Sequence, residues 1–193
     1  MTRLADRTPV VAFESARLWE AWLAKHHAHS PGVWLRIYKK DSGKKTVNYT
    51  EALDAALCYG WIDSRKAPGD AQSWLQRFTP RRPKSGWSRI NTEKVERLIQ
   101  KGRMKAAGLE EVEAAKADGR WQRAYDSHRR AVVPADFLRE LAKNKTAQSF
   151  FEGLSKANTY AICYRLQTAK RPETRQKRME FILAMLARRQ KFH

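Results

Sequence analysis

From Val133 onward the chain carries only helix-period apolar patterning, whereas everything before Trp121 alternates strand-like with helix-like runs. That switch constrains the fold more than any other feature, because elements of both kinds must each bury one apolar face against a neighbour. In the second half "VPADFLRELAKN", "KTAQSFFEGLS", "KANTYAICYRLQTAK" and "RPETRQKRMEFILAMLARRQKFH" read as successive helices separated by Asn, Ser and Pro stops.

The first half reads differently. "PVVAFES" predicts a short strand, followed by a helix capped at Glu14 or Ser15 with Leu18, Trp19, Trp22 and Leu23 at helical spacing. "GVWLRIYKK" alternates Val33, Leu35 and Ile37 against Trp34, Arg36 and Tyr38, which predicts a strand with one polar-aromatic face. A helix follows, expected from a cap at Thr50 to a stop at Gly60. "WIDSRK" and "AQSWLQRFTPR" predict two further strands around a Pro-Gly-Asp turn. Helices then run from Asn91 or Thr92 to Gly102, and from about Met104 to Gly119. The expected class is α+β. A small, mainly antiparallel sheet with helices occupies residues 1–125, residues 126–193 are helical, and the two parts pack as one compact unit, with no repeat or low-complexity linker.

Charge narrows the partners. Lys and Arg number 39 against 20 Asp and Glu, a net +19 over 193 residues. Such a field favours phosphates, nucleic acid or anionic surfaces. Seven Trp, six Tyr and seven Phe within a 42% hydrophobic composition still supply a core. Cys58 and Cys163 lie far apart in apolar stretches and read as buried free thiols of a reducing compartment. The first residues lack a signal-peptide apolar core, and no window approaches the ~18 apolar residues of a membrane span, so the expected location is the cytoplasm.

Few residues carry recognisable chemistry. His26, His27 and His29 cluster at a helix end, where cationic side chains suit the dipole better than they suit a metal. No zinc, phosphate-loop, dinucleotide or hydrolase motif is present, so no cofactor is expected. Asp63 shares a strand face with Trp61, and a half-buried carboxylate there needs a partner, for which Arg65, Arg77, Arg81 and Arg82 are the candidates. "RFTPRRPKSGWSRIN" mixes arginines, hydroxyls and Trp87, a composition suited to gripping phosphates or stacking on bases, or to a solvated loop with Trp87 as a packing staple. The last helix joins an apolar stripe of Met179, Ile182, Leu183, Met185 and Leu186 to a basic outer face. It reads as a packed helix rather than a membrane-surface one.

"VNYTEALDAALCYGWIDS", "RFTPRRPKSGWSRIN", "VPADF" and "AKRPETRQKRMEFIL" are co-linear segments that resemble the YdeI/OmpD-associated family, also described as bacteriocin-protection proteins. The resemblance runs from about Val33 to Leu186, with "AKRPETR" its most characteristic element. It implies stress tolerance of the bacteriocin or antimicrobial-peptide kind, and implies no catalytic residues. Combined with the charge pattern, it points to a non-enzymatic protein that binds an anionic ligand, nucleic acid among the options. The expected site is a cleft of Tyr59, Trp61, Asp63, Arg77, Thr79, Arg81, Arg82, Ser85, Trp87, Ser88 and Asn91. Two alternatives stand beside it: a small enzyme using Asp63 with Ser64, Ser85 or Ser88, and a module whose helical half docks a protein partner.

Overall fold

A computed structural model describes residues 8–193. By their contacts these residues form two units, one of residues up to 85 together with 93–118, the other of residues 86–92 together with 119–193.

The first unit is built on a four-stranded sheet: β1 (Val10–Ala12), β2 (Val33–Tyr38), β3 (Trp61–Pro68) and β4 (Ser73–Pro80), in the order β1-β2-β4-β3. Only β1 and β2 run parallel, joined by helix α1 (Ala16–His26). The β2–β4 and β3–β4 pairs are antiparallel, and a bulge between Asp63 and Lys66 shifts the β3 register. Pairing places Val33, Leu35 and Ile37 opposite Phe78, Gln76 and Trp74. Phe78 lies 5.6 Å from Trp19 of α1, which identifies this as the helix-covered face. Burying Phe78 completely contributes about 1.5–3 kcal/mol.

The opposite face of β2 carries Trp34, Arg36 and Tyr38, the expected polar-aromatic set, but its indole is covered. Trp34 is only 7% exposed. The guanidinium groups of Arg65 and Arg77 lie over its ring at 5.2 and 5.7 Å, so the arginine stems cover the indole while the charges stay near water.

Helix α2 (Tyr49–Cys58) starts one residue before the expected cap. Asn48, not Thr50, holds that position. Its side chain accepts from the Glu51 amide while Glu51 accepts from the Asn48 amide, which satisfies two otherwise orphaned donors. The chain leaves α2 through Gly60 at φ +73°, where a Cβ would stand 2.9 Å from the Ala107 carbonyl oxygen. Helix α3 (Arg89–Gln100) begins before the predicted Asn91, and α4 (Ala106–Ala117) follows it.

The second unit is helical: α5 (Ala135–Leu141), α6 (Lys145–Glu152), α7 (Lys156–Gln167) and α8 (Pro172–Ala187). α5 and α6 are too short to persist alone. They are held by a shared core of Phe137, Leu141, Ala147, Ile162, Leu166, Met179, Ile182 and Leu186. Asn144 and Ser155 cap α6 and α7, and Pro172 opens α8, each where a free amide needs a partner or none exists. Residues 86–92 join this unit through Tyr125, whose amide donates to the Trp87 carbonyl (3.0 Å) and whose carbonyl accepts from the Arg89 amide (2.8 Å).

Candidate anion-binding groove

The residues expected to form one cleft divide between the two units. Trp61 and Asp63 share the helix-covered face of β3, as strand alternation requires. Trp61 donates to the His27 carbonyl (3.1 Å) and meets Trp19 and Trp22 edge-on. Tyr59 packs 5.2 Å from the His27 ring. Arg81 is buried near the same end, its amide donating to the Gly60 carbonyl (3.0 Å). Arg77 and Thr79 point the other way by alternation, and Arg77 donates to the Thr8 hydroxyl (2.8 Å). Arg82 is exposed in the following loop and Ser85 is half-buried. Trp87, Ser88 and Asn91 belong to the second unit. Trp87 packs 4.9 Å from Trp121, and Ser88 pairs with Tyr125 and accepts from the Asn91 amide (3.3 Å). Trp61 and Trp87 are 1% and 2% exposed, so each ring is consumed by its own core and offers no face for a base to stack on.

The partner of Asp63 is also not the expected one. The Tyr49 hydroxyl donates to its carboxylate at 2.8 Å. Burial pushes the Asp63 carboxyl up, while the Tyr49 hydrogen bond and the Arg81 charge pull it back. Tyr49 is itself pushed well above the ordinary phenol range, first by burial and then by Asp63. Sequence reading missed Tyr49 because it sits on a different element fourteen residues away, with only its place in the first turn of α2 to mark it. Ser64, next to it on β3, is exposed, and the half-buried Asp63 carboxylate is engaged by Tyr49, the geometry of a brace between α2 and β3. Cys58 is pushed up to about 11, mainly by burial, and Cys163 is raised for the same reason, so neither is a ready nucleophile.

A different cluster has the makings of a binding site. Lys156, Thr159, Tyr160 and Cys163 follow one another at i, i+3, i+4 and i+7 and so share one face of α7. The loop carrying His128 and Arg129 closes over that face and leaves a groove of about 530 Å³. Asp126 pins the loop. Its carboxylate accepts from Arg89 Nε (2.8 Å) and from the Gln167 amide side chain (2.9 Å), and its carbonyl accepts from the Tyr160 hydroxyl (3.3 Å). The turn is closed by the Arg130 and Ala131 amides, both donating to the Ser127 carbonyl at 2.9 Å. His128 lies 5.1 Å from the Tyr160 ring.

No carboxylate lines the groove, and the nearby Asp126 carboxylate is already engaged. Arg129 and Lys156 have no hydrogen bond or ion pair to any described residue. Three basic side chains therefore converge at the N-terminal end of a helix, whose own dipole adds partial positive charge, while the Thr159 and Tyr160 hydroxyls already donate to the Ser155 and Asp126 carbonyls. This is the donor set an anion of phosphate type requires, and the volume suits a small organic phosphate. The signal in the sequence was "SHRR" followed by "SKANTY", two segments that look like separate loops until α7 folds back.

The chain thus joins a sheet-bearing unit to a short-helix unit whose groove is lined by basic and hydroxyl side chains. The comparisons divide along the chain. Residues 11–111 match a domain of unknown function, DUF8412, and residues 130–189 match the bacteriocin-protection, YdeI or OmpD-associated domain. The chain belongs to the DUF8412 family over its first part and carries a YdeI/OmpD-associated domain in its second. The resembling segments "VPADF" and "AKRPETRQKRMEFIL" fall in the latter, while "VNYTEALDAALCYGWIDS" and "RFTPRRPKSGWSRIN" fall in the former. No curated protein and no solved structure matches the chain.

Proposed function

We propose that this protein is a non-enzymatic, bacteriocin-tolerance type binding protein whose ligand is a phosphate-bearing anion held in the groove between His128, Arg129 and the first turns of α7. The observation that carries the proposal is the lining itself: the basic side chains of Arg129, Lys156 and His128, and no carboxylate. A chain at +19 repels cationic peptides. Tolerance therefore acts through the anion such a peptide would otherwise engage, such as a phosphorylated envelope component or a nucleotide, rather than through the peptide. Nucleic acid is the second reading, favoured by the net charge and by Arg65 and Arg77 on the sheet face opposite the helices.

Titration of the protein with inorganic pyrophosphate, followed by amide NMR, tests the first reading. Shifts should concentrate at residues 128–131 and 156–163, and Lys156→Gln with Arg129→Gln should weaken binding at least tenfold, about 1.4 kcal/mol. An oligonucleotide series across salt tests the second, because binding by bulk charge alone fades steeply with ionic strength. Shifts spread evenly over the basic surface, or unaffected by the two substitutions, would defeat the groove assignment.

A further inference from the structure

The second unit carries another groove, of different chemistry. α7 contributes Tyr164 and Arg165, α8 contributes Lys177, Arg178 and Phe181, and Phe192 lies beyond them, around a volume of about 560 Å³. Phe181 is 63% exposed, while its apolar neighbours on α8, namely Met179, Ile182, Met185 and Leu186, are buried. Phe181 with Tyr164 (38% exposed) and Phe192 lines one concave aromatic surface, and a contiguous exposed apolar patch, unlike a lone side chain, points to an interaction site.

The rim is cationic and ordered. Arg165 lies 3.7 Å from the Phe192 ring centroid and donates to the Ala161 carbonyl (3.1 Å). Arg178 donates to the Arg165 carbonyl (2.7 Å) and to the Thr168 hydroxyl (3.3 Å). Each guanidinium is thereby fixed by one nitrogen while its remaining N–H groups stay available. Lys177 has no hydrogen bond or ion pair to any described residue, and no carboxylate lines the groove.

We infer that this groove docks a protein segment that places an aromatic or aliphatic anchor beside Phe181 and acidic residues against Arg165, Lys177 and Arg178. Charge complementarity selects the acidic flanks, since a neutral apolar segment would set three cations against it without a counter-charge. Concavity selects a peptide over a lipid surface. Insertion into a bilayer needs a continuous apolar helix face, and α8 exposes one large apolar side chain, not a stripe. The inference is independent of the anion groove, which uses the opposite end of α7.

The test is fluorescence anisotropy with a labelled synthetic peptide that sets Phe and Leu among Glu and Asp, beside an isomer with every acid replaced by its amide and one with Phe and Leu replaced by Ser. The acidic amphipathic peptide should bind the full chain. Both control peptides should bind at least tenfold more weakly, and Phe181→Ser and Lys177→Glu should each reduce affinity at least tenfold. Both substitutions are at exposed positions and leave the core intact, which a circular dichroism melt checks. Lys156→Gln should leave peptide binding unchanged, which separates this site from the anion groove. Absence of binding, binding insensitive to Phe181→Ser, or Phe181-dependent binding to phosphatidylglycerol vesicles in place of the peptide would overturn the inference.

Discussion

Arg175 holds Asp136 with both terminal nitrogens, at 2.5 and 3.0 Å, and so ties the first turn of α8 to the first turn of α5. These residues come from "AKRPETR" and "VPADF", the two segments of the YdeI/OmpD-associated domain that stand out in the sequence. Their prominence has a physical meaning: one supplies the fork and the other its carboxylate. A bidentate guanidinium fixes direction as well as distance, which lysine cannot do.

The Arg175 hydrogen bond holds the Asp136 carboxyl below its usual range. A carboxyl lowered in the folded state gives stability that is present above the ordinary Asp range, near pH 4, and lost as pH falls through the lower folded value. The pair is about a third exposed on both sides, so solvent screens it. Asp136→Asn should therefore cost about 0.5–1 kcal/mol at pH 7 and less at about pH 3, read from denaturant midpoints. Equal loss at both pH values would mean that the pair acts by packing alone.

The Tyr49–Asp63 contact predicts two opposite effects. Tyr49→Phe leaves a largely buried carboxylate without its donor and should destabilise by about 1–3 kcal/mol. Asp63→Asn keeps an acceptor for Tyr49 and removes the charge. Burial raises the Asp63 carboxyl, so its contribution to stability is full at acid pH and fades as pH rises through the folded value. Melting temperatures of Asp63→Asn relative to the native protein should thus improve from pH 4 to pH 7. A constant difference across that window would show that Asp63 titrates no differently when folded.

Gly108 marks the closest approach of α4 to the end of α2. A Cβ there would fall 2.3 Å from the Cys58 carbonyl oxygen and 2.8 Å from that of Leu57. Both are backbone atoms and cannot rotate away, so Gly108→Ala should cost about 1–3 kcal/mol. Gly102 offers the comparison. At φ +63° with nothing within 4 Å, its alanine variant meets only backbone strain, about 1–2 kcal/mol, and should leave the α2–α4 contact and the Cys58 environment unchanged. Near-ultraviolet circular dichroism distinguishes a local strain from a displaced helix.

Periodicity carried most of the fold in the sequence. Val33, Leu35 and Ile37 had to face one way, and the stripe Met179, Ile182, Met185 and Leu186 had to be buried, because the alternatives expose them to water. Pairwise partners were less legible. Nothing local marks Tyr49 as the group that would reach Asp63, and Thr50 offered a cap as good as Asn48 until the reciprocal bond from Glu51 decided between them. The burial of the two candidate-site tryptophans was hard to read for a related reason. Trp61 and Trp87 stood beside arginines, but aromatic area is what a small core needs first, and each ring was spent there. The groove of Arg129 and Lys156 was missed because its two halves are separated by the α5–α6 pair, and long-range closure leaves no trace in spacing.

Cys163 links that groove to a direct measurement. It lines the groove wall yet is almost fully buried, and burial raises its thiol. Cys58, raised to about 11 mainly by burial, sits in the other unit. Because the thiolate is the reactive form, Cys58 should react with an aromatic disulfide at pH 8 on the order of a hundredfold more slowly in the native protein than in the unfolded chain, and Cys163 should also react more slowly when native. In a Cys58→Ala background the remaining slow reaction reports on Cys163 alone. Pyrophosphate seated between Arg129 and Lys156 covers that wall and should slow the reaction further, while the Cys163→Ala background, which reports on Cys58, should show no such protection. Protection of Cys58 as well would mean that the anion stabilises the whole chain by diffuse charge. Protection of neither would remove the groove as the place where it binds.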